Sequence, residues 1–223
     1  MQLNIAGIRK FLRPGTLLLA CILITILVLP LMPDQYIKLL YAVFISGIFI
    51  LAALSLEKNR RLLMGCACIL TVLVWLLLIL NIKFLSTGVD ILEFIFLFAL
   101  VSGFIRQLAA KTTVNESVFV DAVAGYLLLG FAYSLVATAI INFYPGAYRN
   151  IGADSNAQGL YEKFERSSYY AFMTFSTADY GDVTPVTPVA KSLAILISIS
   201  GQLYVATIIS LLISKYMSSG SKQ

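Results

Sequence analysis

Histidine is missing from all 223 residues of the chain, tryptophan occurs once, and Asp, Glu, Lys and Arg together supply only 12% of positions. The side chain most used for proton transfer near neutral pH is therefore absent. No serine or cysteine can be activated by an imidazole, and no carboxylates cluster inside an apolar run, so the chain does not read as an enzyme. Three cysteines, Cys21, Cys66 and Cys68, all lie in apolar segments. A Cys-x-Cys pair without histidine is a poor zinc site, so these thiols read as small apolar packers, with no disulfide and no cofactor implied. The scarcity of charge excludes a soluble domain, which carries roughly twice that share.

What is abundant is hydrophobic sequence, 60% of residues with a mean hydropathy of +0.91. It comes in runs long enough to cross a bilayer, which takes about 20 helical residues. The runs cover 16–32, 36–56, 62–80, 91–105, 118–143 and 189–216. They predict an all-α membrane protein with six transmembrane helices. The first run follows Arg9, Lys10 and Arg13 as a signal peptide would. It ends in Pro30 and Pro33 without an A-x-A-like cleavage site, and reads as a retained helix. The 16 Lys and Arg residues divide ten to six between alternate sides, which places both termini in the cytoplasm. On this reading the net charge of +5 reflects topology and calls for no nucleic-acid partner.

The interval between the last two runs departs from this pattern. Residues 144–166 read as an outer loop, because "YPGAYRNIGADSNAQG" is rich in Gly, Asn, Pro and Ser. "SSYYAFMTFS", 167–176, opens on a serine suited to N-capping and continues apolar and aromatic. It is too short to span and too apolar to stand in water, so a re-entrant helix is expected. "TADYGD", 177–182, follows as irregular backbone, which at membrane depth is tolerated only where protein buries it or it lines a water-filled cavity.

Ser176-Thr177-Ala178-Asp179-Tyr180-Gly181-Asp182 resembles the filter signature of the tetrameric potassium-channel pore family, which usually reads T-V/I-G-Y-G-D. Tyr169 and Tyr170 stand where that family has an aromatic pair supporting the filter. Pro185 and Lys191 fit the descent into its inner helix, and Gly201 stands where it often has a gating hinge. The resemblance is also to small bacterial ion-channel proteins with four spans before the pore, which implies a bacterial inner membrane. It is strong from Tyr169 to about Ser214 and rests on span count alone for 1–117.

The resemblance implies a homotetramer conducting monovalent cations, with potassium favoured over a weakly selective permeation. Carbonyls of Thr177, Ala178, Asp179, Tyr180 and Gly181 would line the filter, potassium binding at Thr177, Ala178, Asp179 and Tyr180. Asp182 would sit at the outer mouth, and Met173 takes the place of the family's supporting glutamate. Tyr180 would pack against the Tyr169–Tyr170 pair. Gly201 reads equally as a hinge or as a site of close helix packing. Asp179 replaces the filter's first glycine. Its carboxylate would either point behind the filter toward a Ser, Thr or Tyr donor or, if the backbone relaxes, join three others around the pore.

The domain division expected is 1–117, four helices plus a linker, and 118–223, the pore domain. The latter comprises an outer helix 118–143, outer loop 144–166, pore helix 167–176, filter 177–182 and inner helix 189–216. Span four carries only Arg106, at its inner end, so it has the position but not the charge of a voltage sensor. Asp90 and Glu93, near its outer start, read as water-facing. A transporter would need repeats of the re-entrant segment, which are absent from the sequence. A non-conducting regulatory subunit would also account for an altered filter.

Overall fold

A computed structural model describes residues 13–32, 34–80, 83–111, 116–151 and 160–220. Its order is α1 (Pro14–Leu27), a 3₁₀ turn (Leu29–Leu31), α2 (Asp34–Ser55), α3 (Arg60–Leu80), α4 (Lys83–Ala110), α5 (Glu116–Phe143), β1 (Tyr148–Arg149), α6 (Leu160–Phe175), β2 (Thr184–Pro185), α7 (Pro188–Tyr204), a π-helical turn (Val205–Ile209) and α8 (Ser210–Gly220). Helices thus stand over all six predicted runs. Among the described residues, four stretches have the length and composition to cross a membrane: Pro14–Leu31, Ile91–Ala110, Ser117–Phe143 and Pro188–Lys215. The protein is an integral membrane protein, and its described residues are helical apart from one two-residue strand pair and the connecting turns.

Two compact units are present, 1–127 with 211–223, and 128–210, so the division falls within α5. In the first, α1 packs on α2, α2 on α3, and α3 on α4. Phe49 of α2 meets Phe96 of α4 edge-on, with ring centroids 5.8 Å apart. Glu93 lies one turn before Phe96 on the same face of α4 and is buried, which corrects the water-facing expectation. That expectation started the helix at Ile91, whereas α4 begins at Lys83 and carries Glu93 well inside it. The side chain of Asp90 lies outside the described residues, as do Arg9, Lys10 and residues 112–115 of the predicted linker.

The second unit holds the segment predicted to be re-entrant. Its helix α6 begins at Leu160, seven residues before the predicted start, and Ser167 is buried within it instead of capping it. The added turns, "LYEKFER", alternate apolar and charged residues with helical spacing. Phe164 packs edge-on against Phe131 at 5.6 Å, while the Lys163 ammonium donates to Asn142 Oδ1 at 3.0 Å. Reading only the uniformly apolar portion missed this amphipathic start, where Glu162 complements the helix N-terminus. Thr187 caps α7, its hydroxyl accepting from the Ala190 amide, and Pro188 occupies the first turn, where its missing N–H costs nothing.

Candidate functional site

The site is built where α6 ends. The amides of Ser176 and Thr177 donate to the carbonyls of Phe172 and Thr174, at 2.9 and 3.1 Å. The amides of Ala178 and Asp179 both turn back to the Met173 carbonyl, at 3.0 and 3.2 Å. Met173, the residue standing in for a supporting carboxylate, therefore holds this segment by its main chain. The end of α6 is itself clasped by α7. A Cβ on Gly201 would come within 2.2 Å of the Phe175 carbonyl oxygen, so only glycine permits this approach. Gly201 lies in regular α-helix, and the departure from α geometry comes four residues later, in the π turn at Val205–Ile209.

Beyond α6 the backbone alternates. Thr177, Asp179 and Gly181 have φ of +61°, +24° and +73°, whereas Ala178 and Tyr180 keep negative φ. Alternating handedness turns successive carbonyls toward one side, unlike a strand, where they alternate. Among the described residues, the carbonyls of Thr177, Ala178, Asp179 and Tyr180 accept no hydrogen bond. Left-handed backbone is natural for Gly181 but costs a β-branched Thr177 and an Asp179 about 1–2 kcal/mol each.

The outer end is pinned by residues that the sequence reading placed in an undifferentiated loop. After the Pro145–Gly146 turn, Tyr148 and Arg149 pair antiparallel with Pro185 and Thr184. Asn150, left-handed at φ +62°, donates its side-chain amide to the Asp182 carbonyl at 2.6 Å. The Tyr148 ring stacks edge-on against Tyr170 at 4.8 Å. The sequence signal for this clamp is slight: an Asn able to take a left-handed turn, two residues after an aromatic.

Tyr169 and Tyr170 do not act as one cuff, because neighbours on a helix face directions about 100° apart. Tyr170 is buried. Its own burial and the nearby Asp179 charge raise its pKa to about 12, against a lowering contact from Thr174. Tyr169 is exposed and hydrogen-bonds the Asp182 carboxylate, which raises its pKa above 10.0. The Asp182 carboxylate also accepts from the Val183 amide at 3.0 Å. Tyr180 is 75% exposed, so within one chain it packs on neither tyrosine. Among the described residues Asp179 forms no ion pair. It lines an open recess of about 460 Å³ with Thr174, Thr177, Ala194, Ile195, Ser198 and Ile199.

A helix, a hand-alternating segment with unpaired carbonyls and a second long helix form one sequence-continuous unit. Set against known families, residues 125–218 match the ion channel family. This stretch is an ion-channel domain. The match runs from α5 through the filter segment to α8 and identifies a channel family, not an enzyme. No curated protein and no solved structure matches the chain.

Proposed function

We propose that four copies of this chain assemble around an axis and pass monovalent cations, potassium most readily, through the segment Thr177–Gly181. One re-entrant segment encloses no hole, so the channel domain needs copies of itself. The observation that carries the reading is the alternation of backbone hand from Thr177 to Gly181, with its row of unpaired carbonyls. Such carbonyls replace the hydration shell of a cation at modest net cost. Asp182 concentrates cations at the mouth, and Gly201 either hinges α7 or keeps it against α6. With Arg106 the one basic residue in the inner half of α4, the membrane field does little work on the first four helices, and gating is weakly voltage-dependent.

A weakly selective pore is the second reading, favoured by one observation: Asp179 sits at φ +24°, short of the usual left-handed well. Liposomes containing the purified chain decide between these. Potassium flux blocked by a quaternary ammonium ion supports the channel, and a flat signal removes it. A bi-ionic potassium–sodium reversal potential near zero removes potassium preference.

A further inference from the structure

Gly201 stands at the expected hinge, yet α7 is gripped there from two helices. The Phe175 carbonyl oxygen of α6 fills the space of its missing Cβ, and the Phe175 ring meets Tyr133 of α5 at 6.0 Å. Tyr133 is buried, and its hydroxyl reaches Ser200, the residue before Gly201. A hinge has to change φ and ψ, which close packing against backbone opposes. Four residues later the grip ends. In the π turn Val205–Ile209, the side chains of Val205, Ala206 and Thr207 are exposed and that of Ile208 is buried. The hydrogen-bond ladder also leaves its α register. The Val205 amide is shared between the Gln202 and Gly201 carbonyls, and the Ser210 amide reaches back only to Thr207. The Thr207 hydroxyl donates to the Leu203 carbonyl, a back-bond that bends helices.

Beyond the turn the chain is held again. Leu212 of α8 is fully buried, and the Lys215 ammonium donates to the carbonyls of Ala109 and Lys111 at 3.0 and 2.7 Å. The last turn of α4 carries no base of its own, so Lys215 supplies the cation that a helix C-terminus favours. The boundary between the two compact units falls between 210 and 211, directly after the turn.

We infer that the continuous helix α7–α8 bends at Val205–Ile209 and not at Gly201, and that Lys215 latches α8 to the end of α4 and restrains the bend. Bending there leaves Gly201 seated on Phe175, so the end of α6 that carries the filter segment stays clasped. Releasing Lys215 frees α8 and raises flux. Only this effect on flux rests on the proposed channel function; the bend and the latch do not.

Hydrogen–deuterium exchange on the intact detergent-solubilised chain tests the bend without reference to conduction. Amides of 205–210 should exchange roughly tenfold faster than those of 196–202 and 212–216. Equal protection along 196–216 overturns the bend. Lys215→Met should speed exchange at 205–210 several-fold further, and Lys215→Arg, which keeps a donor for both carbonyls, should restore the parent pattern. Parent-like exchange in Lys215→Met, in protein that elutes like the parent chain, overturns the latch. In proteoliposomes Lys215→Met should raise potassium efflux several-fold, with Lys215→Arg close to the parent. Unchanged efflux from Lys215→Met, with exchange at 205–210 accelerated, overturns the link from bend to conduction. Absence of any flux from the parent chain tells against the channel reading and leaves the exchange data to decide the bend and the latch.

Discussion

The four-helix unit and the pore unit satisfy their polar groups differently. In the former, hydroxyls mostly fold back on their own helix: Thr25 donates to the Cys21 carbonyl, Ser46 to Ala42, Ser55 to Leu51 and Ser102 to Phe98, each four residues earlier. Such bonds satisfy a hydroxyl in an apolar medium but specify no partner. In the pore unit Ser134, Thr138 and Thr207 fold back in the same way, but further bonds reach beyond the helix that carries the donor. Asn150 reaches Asp182 over 32 residues, Tyr169 reaches Asp182, and the amides of Ala178 and Asp179 share the Met173 carbonyl. Regular helix needs no outside donors, whereas irregular backbone does. Sensitivity to single substitutions should therefore be concentrated in the pore unit.

The largest effect is expected for Gly201→Ala, whose methyl would enter the space of the Phe175 carbonyl. Overpacking against backbone should cost about 3 kcal/mol. It should appear as loss of a monodisperse gel-filtration peak or a much lower melting temperature, and a fully stable variant would show that α6 and α7 can separate. Asp179→Gly should come next, with opposite sign. Removing left-handed strain should stabilise each chain by about 1–2 kcal/mol. It should also raise potassium over sodium preference in bi-ionic recordings; unchanged selectivity would make Asp179 a tolerated substitution.

Asn150→Ala removes the clamp on Asp182 and forces alanine into a left-handed turn, at about 1 kcal/mol for the hydrogen bond alone. Faster amide exchange at 179–183 should follow, and Asn150→Gly, which keeps the backbone hand, should recover only part of it. Alkaline pH probes the same mouth. Because the Asp182 bond raises the Tyr169 pKa, its stabilisation is complete below pH 10.0 and is lost as pH climbs through the raised value. Melting curves across that range should show a limb that Tyr169→Phe abolishes; superimposable curves would remove the bond from the account.

The smallest effect belongs to the four-helix unit. Glu57 pairs with Lys111 at an exposed site, and Glu57→Gln should shift stability by about 0.5 kcal/mol. A larger shift would mean that this unit also depends on cross-chain contacts. Such contacts lie near this pair and also at Trp75, whose indole N–H donates to the Ser46 hydroxyl at 3.1 Å. Gln107 bridges the Glu57 amide and the Ser55 carbonyl, and Lys215 donates to the carbonyls of Ala109 and Lys111.

The sequence alone determined the apolar runs, the short apolar segment between the last two of them and the residues 177–182 that make it a filter candidate. Hydropathy and glycine placement act locally, so residue order suffices to read them. It also flagged Asp179 as the anomaly. Only the tertiary structure decided the rest. Tyr169 and Tyr170 part company because α6 rotates them to different neighbours. Met173 contributes a carbonyl because the chain doubles back on the helix end. Asn150, Tyr148 and Thr174 gain their places from residues far along the chain. Glu93 is buried because α4 starts earlier than its apolar stretch. Each of these depends on which side chains meet across a fold, and pairing over tens of residues leaves no periodic trace in one sequence.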